Sequence, residues 1–500
     1  MKNKRLILLI IAIILIIISA VSCRYVTTAY LISPQLPPEQ VGQTPNEEVK
    51  DPPTDSPSEQ PQTEPTQETP KNENVLYISA SKLNVREEAV KDAKIVTSLM
   101  KSSEVTIKEE KKDDNGVSWY YVNYDSELKD ANGWIVAEYT VKDRMELLDE
   151  SLRNLDLSPQ DKTLEYPNNP RVEVKGIYLT VYSASGARLD KLIEMSKRTE
   201  INTFVIDVKD DNGNMLFATE AAEKYNPDAN NKAPIKDIKV LMQKLKDNNI
   251  YTIARIVSFK DPSYAKKHPD KAIVYKGTNK PFTNSDGLIW VSAHDRDLWE
   301  YNLGVAKEAV AAGFNEIQFD YVRFPASNGG KLDKLLDYRN ETGESKPETI
   351  QNYLKEARKQ LSPLGAYISA DIYGLVGSVS DDMALGQYWE AVSNVVDYVS
   401  PMMYPSHYAN GTYGLSIPDA YPYETIYHST KDSVGRNKNI QTPATIRPWI
   451  QDFTATWVKG YIRYGDKQVE QQIKALNDNG VKEYLLWNAG NTYSEGALLK

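Results

Sequence analysis

Cysteine and histidine are nearly absent from this 500-residue chain, which holds one cysteine, Cys23, and four histidines at 268, 294, 407 and 428. A single thiol excludes a disulfide within the chain and a cysteine-based zinc site. The histidines show neither HxH nor HExxH spacing, so no metal centre is expected. Glycine-rich phosphate cradles are missing as well. No GxGxxG follows the strand-like run at 175–182 and no GxxxxGKS/T occurs anywhere, so no nucleotide cofactor, and no cofactor of another kind, is expected. Basic patches are also lacking. The net charge of -10 is spread along the chain, and the lysine pairs at 111–112 and 266–267 are short, so nucleic acid is not an expected partner.

One long uncharged run is present. Lys2, Lys4 and Arg5 precede eighteen uncharged residues from Leu6 to Cys23, a length on the border between a signal peptide and a membrane span. Residues 1–24 therefore read as a signal peptide or membrane anchor. Ala20-Val21-Ser22-Cys23 resembles a relaxed bacterial lipobox, with Cys23 as the lipidated residue and Ala where Leu is usual. Three fates stay open: lipidation at Cys23, an uncleaved anchor, or cleavage and secretion. Each places the rest of the chain outside the cytoplasm, at the outer face of the membrane, in the wall, or free, and the basic residues ahead of the run agree with that orientation. Residues 34–74 hold ten prolines and nine acidic residues with almost no large apolar side chains. Such a segment cannot bury enough surface to fold and reads as a disordered, partly polyproline spacer.

Residues 75–140 carry short β-prone runs at 76–79, 96–99, 104–108, 118–123 and 133–137, which predicts a small all-β barrel. Leu83-Asn84-Val85-Arg86, Trp119-Tyr120-Tyr121-Val122 and Gly133-Trp134-Ile135 resemble the bacterial SH3-like family. That resemblance implies binding to cell-wall peptides or glycan. Trp119, Tyr121 and Trp134 suit either a core or a ligand surface. Residues 141–173 are expected to connect: a short helix over 141–155, then a proline-stiffened joint over 156–173.

From 174 to 500 the chain alternates strand-like and helix-like stretches. Eight strands are predicted at 175–182, 202–209, 250–257, 315–322, 366–373, 397–404, 440–447 and 483–488, with helices at 187–199, 236–248, 297–312, 347–361, 382–393 and 466–479. Short apolar strands in this alternation predict an α/β fold, a (β/α)8 TIM barrel. Chemistry in such a barrel sits at the C-terminal rim, so the polar residues at the strand ends are the candidates: Asp207 and Lys209, Arg255, Asp320, Tyr321 and Arg323, Asp371, Tyr404 and His407, Arg447 and Trp449, Trp487 and Asn488. Two carboxylates on adjacent strands, flanked by aromatic rings, form the equipment for glycoside hydrolysis. The excess of 32 Tyr and 8 Trp over 8 Phe suits a sugar-stacking cleft, though Tyr-rich strands also line ordinary cores. Asp320, expected near Arg323 and Arg255, is assigned nucleophile or general base, and Asp371, in the more apolar Ile-Ser-Ala-Asp-Ile-Tyr-Gly, is assigned general acid. The reverse assignment stays open, and the remaining rim residues are expected to bind substrate.

VKDDNG (208–213), ARIVSFKDP (254–262), GFNEIQFDYVRFP (313–325), SADIYG (369–374), DYVSPMMYPSHY (397–408), RPWIQDF (447–453) and LLWNAGNTY (485–493) together resemble a bacterial family named for glycosyl hydrolase activity. The resemblance implies a barrel related to amylase-type hydrolases, with a nucleophile-like Asp on strand four and the acid on strand five. Glu is usual at that second position and Asp371 stands there instead. The combined reading is an envelope-tethered glycoside hydrolase acting on polysaccharide or peptidoglycan. A catalytically inactive glycan-binding or envelope-assembly protein on the same barrel is the alternative.

Overall fold

The computed structural model describes residues 74–500, apart from 81, 101–102, 125–130 and 143. The expected anchor, Cys23 and all of the spacer but Asn74 lie outside the described residues. None of the described helices is long and apolar enough to cross a membrane. The chain divides into two compact units, 1–147 and 148–500.

In the first unit, strands at 75–78, 82–86, 95–100, 104–112, 118–123, 132–136 and 140–141 pair antiparallel in one curled sheet. Alternate residues face inward, as a strand with one wet face requires. Leu76, Ile78, Leu83, Val85, Val105, Val122 and Ile135 fill the centre. Gly133 permits the closest approach: a Cβ there would lie 2.4 Å from Cγ1 of Val85, so only glycine fits ahead of Trp134. Trp119 is core, its indole N–H donating to Asp113 at 3.2 Å. Tyr121 and Trp134 are half-buried, with ring centroids 5.2 Å apart, and keep one face to water.

The second unit is a closed barrel of eight parallel strands: β1 (Lys175–Leu179), β2 (Thr203–Lys209), β3 (Tyr251–Val257), β4 (Glu316–Asp320), β5 (Tyr367–Tyr373), β6 (Tyr398–Met402), β7 (Thr445–Ile446 and Trp449–Gln451) and β8 (Tyr484–Trp487). Each pairs with the next, and β8 returns to β1. The main outer helices are α1 (Ala187–Arg198), α2 (Ile238–Asp247), α3 (Arg296–Ala312), α4 (Lys346–Leu361), α5 (Trp389–Ser393), α6 (Pro422–Asn437) and α7 (Asp466–Asp478). Their apolar stripes pack on the outward strand residues. α4 starts on a full capping box, Ser345 accepting from the Glu348 N–H and Glu348 from the Ser345 N–H, with Pro347 in the first turn. Helix α6 has no counterpart in the sequence reading, because its buried face is Thr425, Ser429, Thr430 and Ser433 around a single Ile426 and carries no strong apolar period. Only the end of the expected 382–393 helix is helical, as α5.

The lumen differs from the shell. A separate cluster of Tyr178, Val205, Tyr251, Ile253, Tyr367, Tyr398, Tyr404, Trp449 and Leu485 lines it. On β4 the period of two sends Glu316, Gln318 and Asp320 inward as a polar ladder, all buried. The strands are thus apolar outward and largely polar or aromatic inward.

The connecting helix expected over 141–155 is instead two short 3-10 turns at 144–147 and 150–152. The expected joint at 156–173 is a strap packed across the N-terminal end of the barrel. Asp156 N–H donates to Gln351, whose amide donates back to the Asp156 carbonyl. Lys162 Nζ caps the Ser393 and Val396 carbonyls, and burial pulls its pKa down to about 7. Asn169 Nδ2 donates to the carbonyls of Asn315 and Gly365, just ahead of β4 and β5. Arg171 lies over the rings of Tyr367 and Tyr398.

Above that strap, the buried Arg447 guanidinium donates to both carboxylate oxygens of Glu316 at 2.9 and 2.8 Å and to Glu483 at 2.7 Å, and it lies 3.6 Å over the Tyr398 ring. Removing one partner of a buried pair strands the other charge. Arg447→Met is expected to lower the free energy of unfolding by about 3–5 kcal/mol, with partial recovery on adding Glu316→Gln. An unchanged midpoint in urea would show that the pair carries no stability.

Candidate active site

The site begins at a β-bulge. Asp207 pairs with Arg255 and Lys209 with Ile256, so two residues of β2 oppose one of β3. A bulge re-aims the side chains beyond it. Asp207 and Arg255, before the bulge, point into the lumen, and Lys209, beyond it, turns outward to Asp261 at 2.9 Å and to Asn302 on α3 at 2.6 Å. Lys209 is a buried structural cation behind the wall, not a rim contact.

Arg255, 1 % exposed, is the hub. Its Nη1 donates to Asp207 at 2.6 Å, its Nη2 to Asp211 at 3.1 Å, and Nε and Nη2 both to Oδ2 of Asp320 at 2.9 and 2.5 Å. Asp207 also accepts from the Tyr178 hydroxyl of β1 at 2.5 Å. Burial pushes the Asp207 carboxyl up to about 6, against the pull of Arg255 and the Tyr178 hydrogen bond. Asp211 also feels burial, but Arg255 and Lys260 outweigh it and hold that carboxyl below its ordinary range. Lys260 completes this side, 3.0 Å from Asp211 and 3.8 Å over the Tyr321 ring.

Asp320 ends β4, and its backbone carbonyl accepts from Ser258 N–H after β3. Its Oδ1 accepts from the next backbone N–H, that of Tyr321, at 2.5 Å. Tyr321 sits at φ 47, a left-handed conformation that a bulky residue holds only when its surroundings impose it. Trp290 edge-on and Lys260 over the ring do so here.

One strand over, Phe319 pairs with Ala370, so Asp371 stands level with Asp320 at the usual inter-strand spacing of about 5 Å. Asp371 is 1 % exposed, and its Oδ1 accepts from the Trp449 indole N–H of β7 at 2.7 Å. Burial, and then the negative charge of Asp320, raise its pKa well above the carboxylate range, and the Trp449 bond offsets only part of this. Asp371 is thus a buried carboxyl whose surroundings favour the protonated form, and the indole bond occupies Oδ1 and leaves Oδ2 free of it.

The ring closes through aromatics. Trp449 meets Trp487 of β8 edge to face at 5.5 Å, and Trp487 stacks on Tyr178 at 4.1 Å, which returns to Asp207. The Tyr178 and Trp487 rings also lie 5.6 and 5.5 Å from the Arg255 guanidinium. Tyr404, after β6, sits 6.5 Å from Trp487, and burial first, with the negative charge of Asp320 adding to it, raises its hydroxyl well above the ordinary value. Outward from Tyr404 run His407, Phe453 and Trp457, the last 68 % exposed and stacked on Phe453 at 6.0 Å.

Of the residues expected to share a rim, Asp207, Arg255, Asp320, Asp371, Tyr404, Trp449 and Trp487 are joined in this one network. Tyr321 and Arg323 stand at its edge, and His407 at the mouth. Among the described residues Arg323 pairs with no carboxylate, and the cation bonded to Asp320 is Arg255. Arg447 is on the floor with Glu316, where it cannot serve the rim. Asn488 is a turn residue: its Oδ1 accepts from Gly490 N–H, and its Nδ2 binds the Asp452 carbonyl. Tyr178 was not singled out by its sequence, although it stands two residues after Gly176 on the inward period of β1. Asp211 and Lys260 are visible in sequence as strand-end charges but carry no mark of their common partner.

No curated protein gives a significant match. Among solved structures, a hypothetical protein from Ruminiclostridium thermocellum ATCC 27405 is 34% identical, covering 39% of this chain and 96% of its own, with a TM-score of 0.35. The PgaB (BpsB) glycoside hydrolase domain from Bordetella bronchiseptica is 12% identical over 64% of this chain and 94% of its own, with a TM-score of 0.45. The Bacillus megaterium QM B1551 spore cortex-lytic enzyme SleL is 10% identical over 65% and 72%, with a TM-score of 0.38. The family described as "Bacterial SH3 domain" matches residues 81–141. Residues 176–493, more than half of the chain, match the family described as "Putative glycosyl hydrolase domain", and this chain belongs to it.

Proposed function

We propose that the barrel hydrolyses a cell-wall or extracellular polysaccharide, with Asp371 as general acid and Asp320 as nucleophile or general base. The observation that carries this reading is the pairing, on neighbouring strands, of a buried Asp371 bonded to Trp449, whose surroundings favour the protonated form, with a guanidinium-bound Asp320. Hydrolysis needs one carboxyl of each kind. Asp371 Oδ2 gives its proton to the glycosidic oxygen as the bond to the anomeric carbon breaks. Asp320 attacks that carbon or takes a proton from the water that does. Arg255, held by Asp207 and Asp211, orients Asp320, and Trp449 orients Asp371. Tyr404, Trp487 and the exposed Trp457 offer flat faces along which sugar rings can lie.

The test is release of new reducing ends from a panel of wall and extracellular glycans. Wild-type protein that binds one of them and cleaves none would establish the glycan-binding alternative instead.

For the rest of the chain, the proposal is a tether. The N-terminal anchor or a lipid on Cys23 holds the protein at the envelope, and the SH3-like unit grips wall peptide or glycan through the half-buried Tyr121–Trp134 pair. Deleting residues 75–140 is expected to abolish co-sedimentation with purified cell walls. Undiminished co-sedimentation would remove the targeting role from this unit.

A further inference from the structure

Among the described residues, Arg323 is a rim cation that the catalytic network does not use. It follows Asp320 by three residues and is only 5 % exposed. Arg255 has three carboxylates and Lys260 has Asp211 and Asp286, but among the described residues no carboxylate lies within ion-pair distance of Arg323. One of its five N–H donors is taken: Nη1 donates to the Phe324 carbonyl at 2.9 Å. The other nitrogens have no protein partner, yet none is among the atoms sealed from water without one. They keep some contact with water.

Three rings hold the guanidinium there. Its carbon lies 4.7 Å from the Trp290 ring centroid, 4.7 Å from Tyr373 and 5.2 Å from Tyr321. Two of these rings fix its height. Tyr321 follows Asp320 directly, and Tyr373 stands two residues beyond Asp371 on the same face of β5. The free donors of Arg323 therefore sit just outside the Asp320–Asp371 pair, over the β4 and β5 ends. A guanidinium stripped of most of its water and left without a counter-charge is costly unless an anion completes it. Its fork matches the two oxygens of a carboxylate or a phosphate.

We infer that Arg323 recognises an anionic substituent, a carboxylate or a phosphate, on the glycan that enters this site. The inference rests on the glycan-cleaving reading for its substrate class, but it concerns binding and is tested without turnover. Titration calorimetry compares four probes: an oligogalacturonate, a glycan strand with free lactyl carboxylates, a poly(glycerol phosphate), and the carboxyl-reduced oligogalacturonate. Wild-type protein is expected to bind at least one anionic probe, and which one identifies carboxylate or phosphate. Arg323→Gln should weaken that binding roughly 10- to 100-fold, as loss of a charged hydrogen-bond pair does, and should leave binding of the neutral probe within about twofold, below the ~10-fold that one lost interaction costs. Arg323→Lys, which keeps the charge and the packed stem but not the fork, should fall between and guards against misfolding of the Gln variant. Equal losses on charged and neutral probes, or no binding of any anionic probe by wild-type protein, would overturn the inference. Binding of an anionic probe without cleavage would instead overturn the hydrolase reading and leave Arg323 in its role.

Discussion

Asp320→Asn is expected to cut kcat/KM on a cleaved glycan by roughly 10⁴- to 10⁶-fold, the scale of losing one member of a catalytic set. The amide is nearly the same size as the carboxylate, so the β4 end keeps its shape. Its oxygen can still accept from Tyr321 N–H or Arg255. What disappears is the negative charge that attacks or activates. Arg255 retains Asp207 at 2.6 Å and Asp211 at 3.1 Å, so the guanidinium is not orphaned, and the thermal midpoint should move little. Glycan affinity, measured by calorimetry, should survive for the same reason. Turnover within tenfold of wild type would remove Asp320 from the chemistry. Lost binding together with a collapsed midpoint would make it a structural anchor of Arg255.

Asp371→Asn should lower kcat by about 10²- to 10⁴-fold, the usual share of a general acid. The loss should depend on the leaving group. An unactivated sugar alcohol needs the proton, whereas a p-nitrophenolate leaves without it, so an aryl glycoside should recover much of the rate. The pH profile adds a second signature. Because the folded-state pKa of Asp371 is raised, by burial first and by the charge of Asp320 second, the acid keeps its proton through the range where ordinary carboxyls lose theirs. The rate should fall as pH rises through that raised value, and the variant should lose this alkaline limb. Stability follows the same sign. A raised folded-state pKa contributes stability that is whole below the unfolded value and is lost as pH rises through the folded one. The variant's thermal midpoint should therefore decline less toward alkaline pH than that of the wild type. A uniform loss across leaving groups with the alkaline limb intact would move the acid elsewhere.

The barrel was legible because each strand repeats its signal locally. On β4 the run Glu-Ile-Gln-Phe-Asp carries its own alternation, and Asp320 falls on the inward, rim-ward position without reference to any other strand. The errors share a physical origin. Lys209 follows Asp207 by two, and period-two reasoning places both in the lumen, but the bulge opposite Arg255 inserts one residue and reverses the face. Arg447 looked like the end of strand seven, but Pro448 has no N–H to donate. It splits β7 into 445–446 and 449–451, so Arg447 belongs to the lower layer and Trp449 to the upper. The partnerships that make the site are the part no local pattern holds. Trp449 and Asp371 are 78 residues apart, and Arg255 and Asp320 are 65 apart. Sequence supplied each member, and barrel closure decided who met whom.

The strap of 156–173 has a mechanical consequence. A pull on the chain from its N-terminal side meets this segment before it meets β1. Lys162 on two carbonyls, Asn169 on two more and Arg171 over two rings would have to yield in turn, together holding the starts of β4, β5 and β6 and the end of α5. Load would spread over the base of β4, β5 and β6 and would not peel β1 from its neighbours, and the lumen above, with its Arg255 hub, would stay in register while the strap gave way first.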